Sequence, residues 1–463
     1  MQIVTCQFSD SYFPIMDGVS LTVSNYLTEL NRTLGPAFAV VPGVPGWYDS
    51  RAPETHRFFS LPLPGRPPYR IGLPRLDPSL NRNLRTLSFD LLHAHSPFFA
   101  GKFALSLARK RGIPIVATFH SKYRDKLENV LPGSALVDRL LVKPVVKGIA
   151  DFYAAADQVW VPTEAAVESL REYGYTGAVE IVRHGVDFQS PGDLSGIRKR
   201  GEIFLGLERG DFLFLYVGDH AWEKNLNFLL HSLSLLHRSG YRFKVVFVGE
   251  GYAAKSLRLA AARLGLNGVV SFAGVLRDRH LLSACYARAD CFLFPSLYDT
   301  CGLVVREAAA FQVPSVVIGA SAAAESIVDE HNGFVTDNSV RAYTDKLGLL
   351  LDHPELLRRA GEGARITLCT PWAEAVQEVR ERYLGLLGTR CASAAGALHN
   401  TNFQRARRCY DESVGSNRRY GIGAPAGNLP PGFAGRGWDL AGRGRTELLS
   451  GRGQAVEQGA ERL

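Results

Sequence analysis

Residues 292–310 read FLFPSLYDTCGLVVREAAA, and this stretch decides the fold. An apolar run ends at Pro295, a polar loop follows, and a helix is predicted to begin near Leu303. Asp299 would then lie just before the helix, and Glu307 about one turn inside it. Because α/β sheets bind anions and sugars where a strand gives way to a helix N-terminus, the stretch predicts a ligand site at this edge.

The groups in this stretch suit a nucleotide and a sugar. Glu307 can accept hydrogen bonds from both hydroxyls of a ribose, and Gly302 permits a close approach of the backbone. Backbone N–H groups that would point at the sheet edge belong to Thr300, Cys301, Gly302 and Leu303. The structural alternative is that Asp299 only caps the helix and Glu307 makes a solvated ion pair.

The rest of the chain alternates short apolar, β-branched runs with helical patterns in two series. The first series ends near Arg183, and the second runs from Phe212 to Leu351. Strands that alternate with helices predict parallel sheets covered on both faces. We therefore predict an α/β protein with two tandem, Rossmann-like, doubly wound domains and an interdomain cleft, which a chain of 463 residues is long enough to form.

Composition marks the boundaries of these domains. The segment from Asp187 to Gly210 is rich in Pro, Gly, Ser and charge, and it predicts a connector followed by a short helix. We place the first domain at residues 1–188. The second domain, which holds the predicted ligand site, takes residues 189–388, of which 371–388 can pack back on the first.

Residues 389–463 form a tail that we predict to be disordered. The tail carries eleven arginines, no lysine and six acidic residues, so it holds five of the eight net positive charges of the chain. Its composition cannot bury enough apolar area to offset the entropy lost on ordering. An arginine-rich tail that binds anionic lipid or RNA is the functional alternative. Because the excess charge lies in the tail, the two domains indicate no specific nucleic-acid partner.

Cysteine usage and hydropathy indicate the compartment. The seven cysteines form no C-x-x-C pair and no signal peptide is recognisable, so we expect neither a disulfide framework nor a zinc site. No apolar run approaches the roughly 18 to 20 residues that cross a bilayer. We expect a cytoplasmic protein whose membrane contact, if any, is peripheral and at the inner face.

Further strand–loop–helix units carry candidate site residues. In LFLYVGDHAWEKNL, residues 213–226, Lys224 supplies a mobile point charge that suits a diphosphate, although a plain exposed lysine is the alternative. His95 and His120 each follow a strand whose carboxyl end would face the cleft. A lone histidine is more often structural, and we prefer that interpretation for His93. Gly18 follows the first strand and permits close backbone approach, or is a plain turn glycine.

The order of these motifs over residues 1–388 resembles the family four retaining glycosyltransferases, which have the GT-B fold. That family carries two acids separated by seven residues after a strand ending in Pro-Ser, preceded by a Gly-Arg-Leu-x-x-Glu-Lys pattern. Asp299 stands where the first acid is usually Glu, and Asp219 stands where a phosphate-binding Arg is expected. His220 or Arg306 could supply the missing positive charge, or the chain is an inactive or unusual member.

The resemblance implies a role for each candidate residue. His120 and Asp299 would be the catalytic-side residues at the transferred sugar. Acceptor-side residues would be His95, Lys122 and Tyr123. Donor-binding residues would be Gly18, Lys224, Gly274, Val275, Thr300, Cys301, Gly302, Leu303 and Glu307. The motif HGVD, residues 184–187, matches an interdomain motif whose role is hinge geometry or chemistry. No metal and no cofactor besides the nucleotide-sugar co-substrate are implied, since Lys224 and helix dipoles would neutralise the leaving group.

The resemblance also implies a reaction, the retaining transfer of a hexose from a nucleotide-sugar such as UDP-glucose. Residues 222–225 and 298–307 look most like bacterial glucosyltransferases that act on diacylglycerol. A saccharide or other soluble acceptor is an alternative, as is a non-catalytic nucleotide-sugar binder, which Asp219 favours. An epimerase on the same frame is a further alternative, against which the pair Asp299 and Glu307 argues.

One region of the first domain combines basic and apolar residues. The basic residues are Lys122, Arg124, Lys126, Arg139, Lys143 and Lys147. The apolar residues are Leu136, Val137, Leu140, Leu141, Val145 and Val146. This pattern predicts either an amphipathic element that lies on anionic membrane or an ordinary surface helix with a core-facing stripe, and Pro144 interrupts it.

Overall fold

The computed structural model describes residues 2–47, 54–63, 69–124, 138–187 and 194–394. Three residues of the basic and apolar region lie outside these ranges, namely Lys126, Leu136 and Val137. So does the predicted disordered tail from residue 395 onward.

Among the described residues, the first half forms a sheet of seven parallel strands with a small antiparallel pair beside it. The strands of this half are β1 (Thr5–Phe8), β2 (Ala37–Pro42), β3 (Thr55–Phe58), β4 (Ser60–Pro62), β5 (Arg70–Gly72), β6 (Leu91–Ala94), β7 (Ile115–Thr118), β8 (Gln158–Val161) and β9 (Glu180–Ile181). The parallel sheet has the order β3-β2-β1-β6-β7-β8-β9, and β4 pairs with β5. Its central strands are buried along their whole length, as expected of a sheet covered on both faces.

Five helices of this half connect and cover the strands in the described ranges. They are α1 (Gly18–Thr33), α2 (Pro78–Thr86), α3 (Phe99–Arg111), α4 (Lys143–Ala154) and α5 (Glu164–Glu172). Helix α1 begins directly after the loop that follows β1, because Asp17 and Ser20 form a capping box at its N-terminus. A capping box satisfies two otherwise unpaired N–H groups, and it fixes where the chain leaves the sheet edge.

The second half forms a six-stranded parallel sheet within the described residues, in the order β12-β11-β10-β13-β14-β15. Its strands are β10 (Leu213–Val217), β11 (Lys244–Val248), β12 (Val270–Gly274), β13 (Cys291–Phe294), β14 (Ser315–Ile318) and β15 (Phe334–Thr336). Its helices are α6 (Ser195–Leu205), α7 (Leu226–Arg238), α8 (Ala254–Arg263), α9 (Arg279–Arg288), α10 (Leu303–Ala310), α11 (Val340–Asp352) and α12 (Pro354–Leu368). The predicted class, α/β with two doubly wound parallel sheets, is confirmed.

A final helix, α13 (Trp372–Ala394), returns from the second sheet to the first. It packs against α1, and Trp372, Val379 and Tyr383 share a buried cluster with Tyr26 of that helix. The chain therefore crosses between the two sheets twice. The crossings lie side by side, because the N–H of Val186 donates to the carbonyl of Thr370 over 2.8 Å.

None of the helices in the described ranges is both long enough and apolar enough to cross a membrane.

Candidate active site

The N-terminus of α10 presents unused hydrogen-bond donors. Gly302 caps this helix in the left-handed region, with φ of +63°, and a Cβ there would lie 3.1 Å from Cβ of Ala323. Within the described residues, no acceptor takes the backbone N–H of four consecutive residues, Thr300, Cys301, Gly302 and Leu303. Together with the positive end of the helix dipole, these groups form a cradle for an anion or for sugar hydroxyls.

Lys224 and Asp299 form an ion pair beside this cradle. The Nζ atom of Lys224 lies 2.6 Å from Oδ1 of Asp299, and both side chains are about one-fifth to one-quarter exposed, at 21% and 24%. Burial alone would lower the pKa of Lys224, but the carboxylates of Asp299 and Asp219 outweigh it and raise that pKa. Lys224 therefore stays charged, and a diphosphate would have to attract it away from Asp299.

Glu307 lies in a buried network that the sequence did not indicate. Tyr286 donates its hydroxyl hydrogen to Oε2 of Glu307 over 2.8 Å. The guanidinium of Arg279 lies 3.5 Å from Oε1 of Glu307 and 3.2 Å from Oδ2 of Asp187. Burial raises the pKa of Glu307, and Arg279 and Tyr286 oppose this rise. Arg279 and Tyr286 are seven residues apart on α9, which is two helical turns, and this spacing is the signal that could have placed both on the face toward α10.

Asp219, at the position where a phosphate-binding Arg is expected, is an exposed acid that adds negative charge near Lys224. The suggestion that His220 replaces that Arg is wrong. Its ring is fully buried among aromatic side chains such as Phe272, 5.8 Å away, and burial lowers its pKa to about 4, so it is neutral. Arg306 is also buried and donates to the carbonyl of Leu368 over 3.3 Å.

Gly18 lies next to the start of α10, and Gly274 lies at the end of β12. A Cβ on Gly18, the first residue of α1, would lie 3.3 Å from Cδ1 of Leu303 on α10. Gly274 ends β12 with φ of +69°, a conformation that favours glycine, and the exposed Val275 follows it. Their contact with a donor stays a prediction.

His120 follows β7 and is tied to the cradle of the second domain. Thr300 donates its hydroxyl to the carbonyl of His120 over 2.6 Å, and Thr163 donates its own to the carbonyl of Thr300 over 2.7 Å. Next to them, the carboxylate of Glu325 accepts the backbone N–H groups of Glu164 and Ala165 at the start of α5. The cleft is therefore closed around the loop that holds Asp299 and Thr300.

Four buried histidines of the first domain stack in a row. Ring centroids are 4.1 Å apart for His93 and His95, 5.2 Å for His95 and His120, and 5.3 Å for His120 and His184. His93 bonds to Tyr383 and Thr118, so the structural interpretation of His93 holds. The sequence placed these residues at strand ends but did not indicate that they touch.

Two acceptor-side predictions need correction. His95 is fully buried, with one ring nitrogen on His120 and the other on Gln7, so it lies behind His120 rather than at a surface where an acceptor could touch it. Tyr123 packs in the apolar core of the first domain against Phe98 and Phe119, and its ring therefore does not face the cleft. Lys122 is half-buried, and its acceptor role stays a prediction.

Two family models match the chain. The model for glycosyltransferase family 4 matches residues 16–190, and the model for glycosyl transferases group 1 matches residues 202–367. The chain belongs to the family 4 glycosyltransferases and has the GT-B fold. The resemblance that the sequence motifs carried is thereby confirmed.

The glycosyltransferase is similar to two alpha-monoglucosyldiacylglycerol synthases. That of Streptococcus pneumoniae is 25% identical over 321 residues, which are 67% of this chain and 70% of that protein. That of Acholeplasma laidlawii is 24% identical over 384 residues, which are 80% and 93% of the two chains. The solved structure of Anabaena HepE in complex with UDP-glucose has the same fold, with a TM-score of 0.64 at 16% identity over 82% of this chain and 98% of that one.

Residues 138–147 of the basic and apolar region form the start of α4 and the helical turn before it. Leu140, Leu141 and Val145 are exposed at 61%, 51% and 41%, whereas Val142 and Val146 are buried in the core. The helix thus has a core-facing stripe and a separate exposed apolar stripe. Pro144 is the second residue of α4, and the π-helical turn Asp138–Val142 ends directly before that helix, so the helical geometry changes next to the proline.

No group of three or more His, Cys, Asp or Glu side chains suited to a metal ion occurs among the described residues of the glycosyltransferase.

Proposed function

We propose that this glycosyltransferase moves a glucosyl group from UDP-glucose to diacylglycerol at a membrane surface, with retention of configuration and without a metal. One observation carries the proposal. The cradle of four unused N–H groups lies between the Lys224–Asp299 pair and the Glu307 network, and it is held against His120 of the first domain. Glu307 suits the ribose of a nucleotide, Lys224 suits a diphosphate, and the cradle beside His120 suits a sugar.

The donor would bind along the second sheet's carboxyl edge. Glu307 accepts the hydrogen bonds of the ribose hydroxyls. Its Oε1 atom, 3.5 Å from Arg279, is held less tightly than its Oε2 atom, 2.8 Å from the hydroxyl of Tyr286. The diphosphate takes Lys224 and the helix dipole of α10. Once Lys224 has moved to the phosphates, Asp299 is left beside the sugar, where it can accept hydroxyl hydrogens.

Transfer follows from this arrangement. The bond from the anomeric carbon to the diphosphate oxygen breaks through an oxocarbenium-like transition state, and the acceptor oxygen bonds to that carbon on the same face. The leaving phosphate oxygen takes the acceptor's proton. Lys224 and the cradle N–H groups stabilise the charge that develops on the phosphate, and closure of the cleft by Thr163 and Thr300 keeps water from competing as acceptor.

The exposed stripe on α4 supports a lipid acceptor. Leu140, Leu141 and Val145 would enter the interface of the inner membrane leaflet, with exposed Lys143 and Lys147 beside them. Each basic group near an anionic surface contributes about 1 kcal/mol. The similarity to two alpha-monoglucosyldiacylglycerol synthases supports the same acceptor.

A second candidate function is nucleotide-sugar binding without transfer. Asp219 favours it, because an acid near Lys224 weakens the attraction for a diphosphate.

Mass spectrometry of reactions with UDP- and GDP-sugars, offered diacylglycerol or simple saccharides, tests transfer. We expect glucosyldiacylglycerol from UDP-glucose only, with the α-anomeric signal in proton NMR and the same rate in excess EDTA. Binding of UDP-glucose by calorimetry with no UDP release under any condition would select the second candidate. A glycosylated saccharide with no lipid product would refute the lipid acceptor.

Sedimentation with anionic liposomes tests the membrane contact. The double substitution of Leu140→Asp and Leu141→Asp should move the protein from the pellet to the supernatant. Ile366→Asp is the matched control, since Ile366 is also exposed, at 82%, but lies on α12 of the second domain. Equal sedimentation of both variants would contradict the assignment of this surface.

A further inference from the structure

A hydrogen-bond chain runs from β1 to the cleft through two of the stacked histidines. Oε1 of Gln7 lies 2.9 Å from Nε2 of His95, and Nδ1 of His95 lies 2.9 Å from Nε2 of His120. Gln7 and His95 are fully buried, and His120 is 7% exposed. No described residue forms a hydrogen bond with Nδ1 of His120. This nitrogen is not fully buried.

The three side chains in this chain are neutral. Burial lowers the pKa of both His95 and His120 well below the usual value, and the neighbouring histidines of the stack lower each further. A neutral imidazole has one N–H donor and one acceptor nitrogen. The direction of each hydrogen bond therefore decides which nitrogen carries the proton.

Gln7 decides this direction. Its amide oxygen can only accept, so His95 must carry its hydrogen on Nε2 and offer Nδ1 as an acceptor. His120 must then carry its hydrogen on Nε2. The amide oxygen of Gln7 lies 2.9 Å from Nε2 of His95. The amide nitrogen of Gln7 is buried and has no hydrogen-bond partner among the described residues, so the bond to His95 is the one that the described residues give this side chain.

We propose that Gln7 is a positioning residue that acts through His95 to hold His120 in the Nε2–H tautomer, so that Nδ1 of His120 accepts a hydrogen bond from a sugar hydroxyl. The role of the sugar rests on the proposed function, whereas the tautomer does not. The backbone carbonyl of His120 accepts a hydrogen bond from the hydroxyl of Thr300, so residue 120 lies next to the loop that forms the cradle. His120 is thus an acceptor, neither a cation nor a proton donor.

The test is a two-bond proton–nitrogen correlation spectrum of the whole protein with labelled histidine, in which the signals of His120 are assigned by their loss in His120→Asn. Wild-type protein at neutral pH should show the Nε2–H pattern for His95 and His120. In Gln7→Met the acceptor is gone, so His95 should turn to its Nδ1–H tautomer and force His120 to do the same. Transfer should then fall about 2- to 10-fold in kcat/KM, the size of one neutral hydrogen bond.

Thr5→Val is the matched control. Thr5 lies two residues before Gln7 on β1 and is equally buried, and its hydroxyl has no partner in the described residues. This variant should keep both tautomers. A protonated or Nδ1–H His120 in wild-type protein, or unchanged tautomers in Gln7→Met, would overturn the proposal. If Gln7→Met does not fold, the wild-type spectrum decides alone. If the tautomers are as expected but no transfer occurs, the proposed function is refuted, whereas the role of Gln7 in setting the tautomer of His120 is not.

Discussion

Replacing Glu307 by Gln removes one acceptor from the nucleotide site with almost no change in volume. The amide oxygen of the new side chain can keep the hydrogen bond from Tyr286, which is 2.8 Å long. The amide NH₂ group then takes the place of Oε1 and faces Arg279, which lies 3.5 Å from that oxygen. The ribose meets a donor where it needs an acceptor, and Arg279 loses its ion pair with residue 307 but keeps the one with Asp187.

The expected loss follows from the hydrogen bonds involved. A hydrogen bond to a charged group contributes about 1.5 to 3 kcal/mol, against about 1 kcal/mol for a neutral one. Loss of the ionic bond to one ribose hydroxyl should therefore reduce kcat/KM for the donor about 10- to 100-fold. Since the ribose is remote from the reacting bond, most of the effect should appear in KM and little in kcat.

Steady-state release of UDP, measured over a range of UDP-glucose concentrations, gives both constants. Glu362→Gln is the matched control, because Glu362 is an exposed acid on α12 that pairs with Arg358 away from the site. The reasoning is refuted if Glu307→Gln stays within twofold of the wild type in kcat/KM, or if its KM is unchanged while kcat collapses.

Three further predictions concern Lys224, the glycine of the HGVD motif, and the loss of stability in acid. Lys224→Ala should weaken UDP binding in calorimetry at least tenfold, because it removes the cation that would pair with the diphosphate. A Cβ at Gly185 would lie 2.6 Å from the backbone of the first residue of α13, so Gly185→Ala should cost about 1 to 3 kcal/mol in the free energy of unfolding by denaturant titration, while Gly196→Ala, with open space around it, should not. Burial first, and then a nearby arginine, lower the pKa of His184 to about 3. The unfolded state therefore binds the proton more readily, and stability is lost as pH falls below about 6.5, by up to about 1.4 kcal/mol per pH unit. In melting curves from pH 7 to 4, His184→Phe should be less sensitive to acid than the wild type, and equal slopes would contradict this.

The local sequence pattern was sufficient to predict most of the helices and strands. The helix that follows Asp299 begins at Leu303, as predicted, because the strand, the loop and the glycine that caps the helix are adjacent in sequence. The short strands β3, β4, β5 and β15 and the helices α2 and α12 were not predicted. Within the second series, residues Ala322–Ser326 form a 3₁₀ turn rather than a strand or an α-helix. The short strands have too few residues for a period to emerge, and tertiary contacts decide them. Helix α12 has 15 residues, which is long enough for a helical period, and nothing in the structure explains why it was not predicted.

The sequence alone determined that the chain alternates strands and helices in two series. It also placed Lys224, Gly302 and Glu307 where strands give way to helices, since these relations are local and parallel βα units always bring such positions to one edge. The tertiary structure alone decided which side chains meet there. Lys224 pairs with an acid 75 residues away, Glu307 is bound from another helix, and His95 lies behind His120 although both follow strands. Those contacts depend on the packing of distant segments and on the closure of one domain over the other, and neither leaves a period in the sequence.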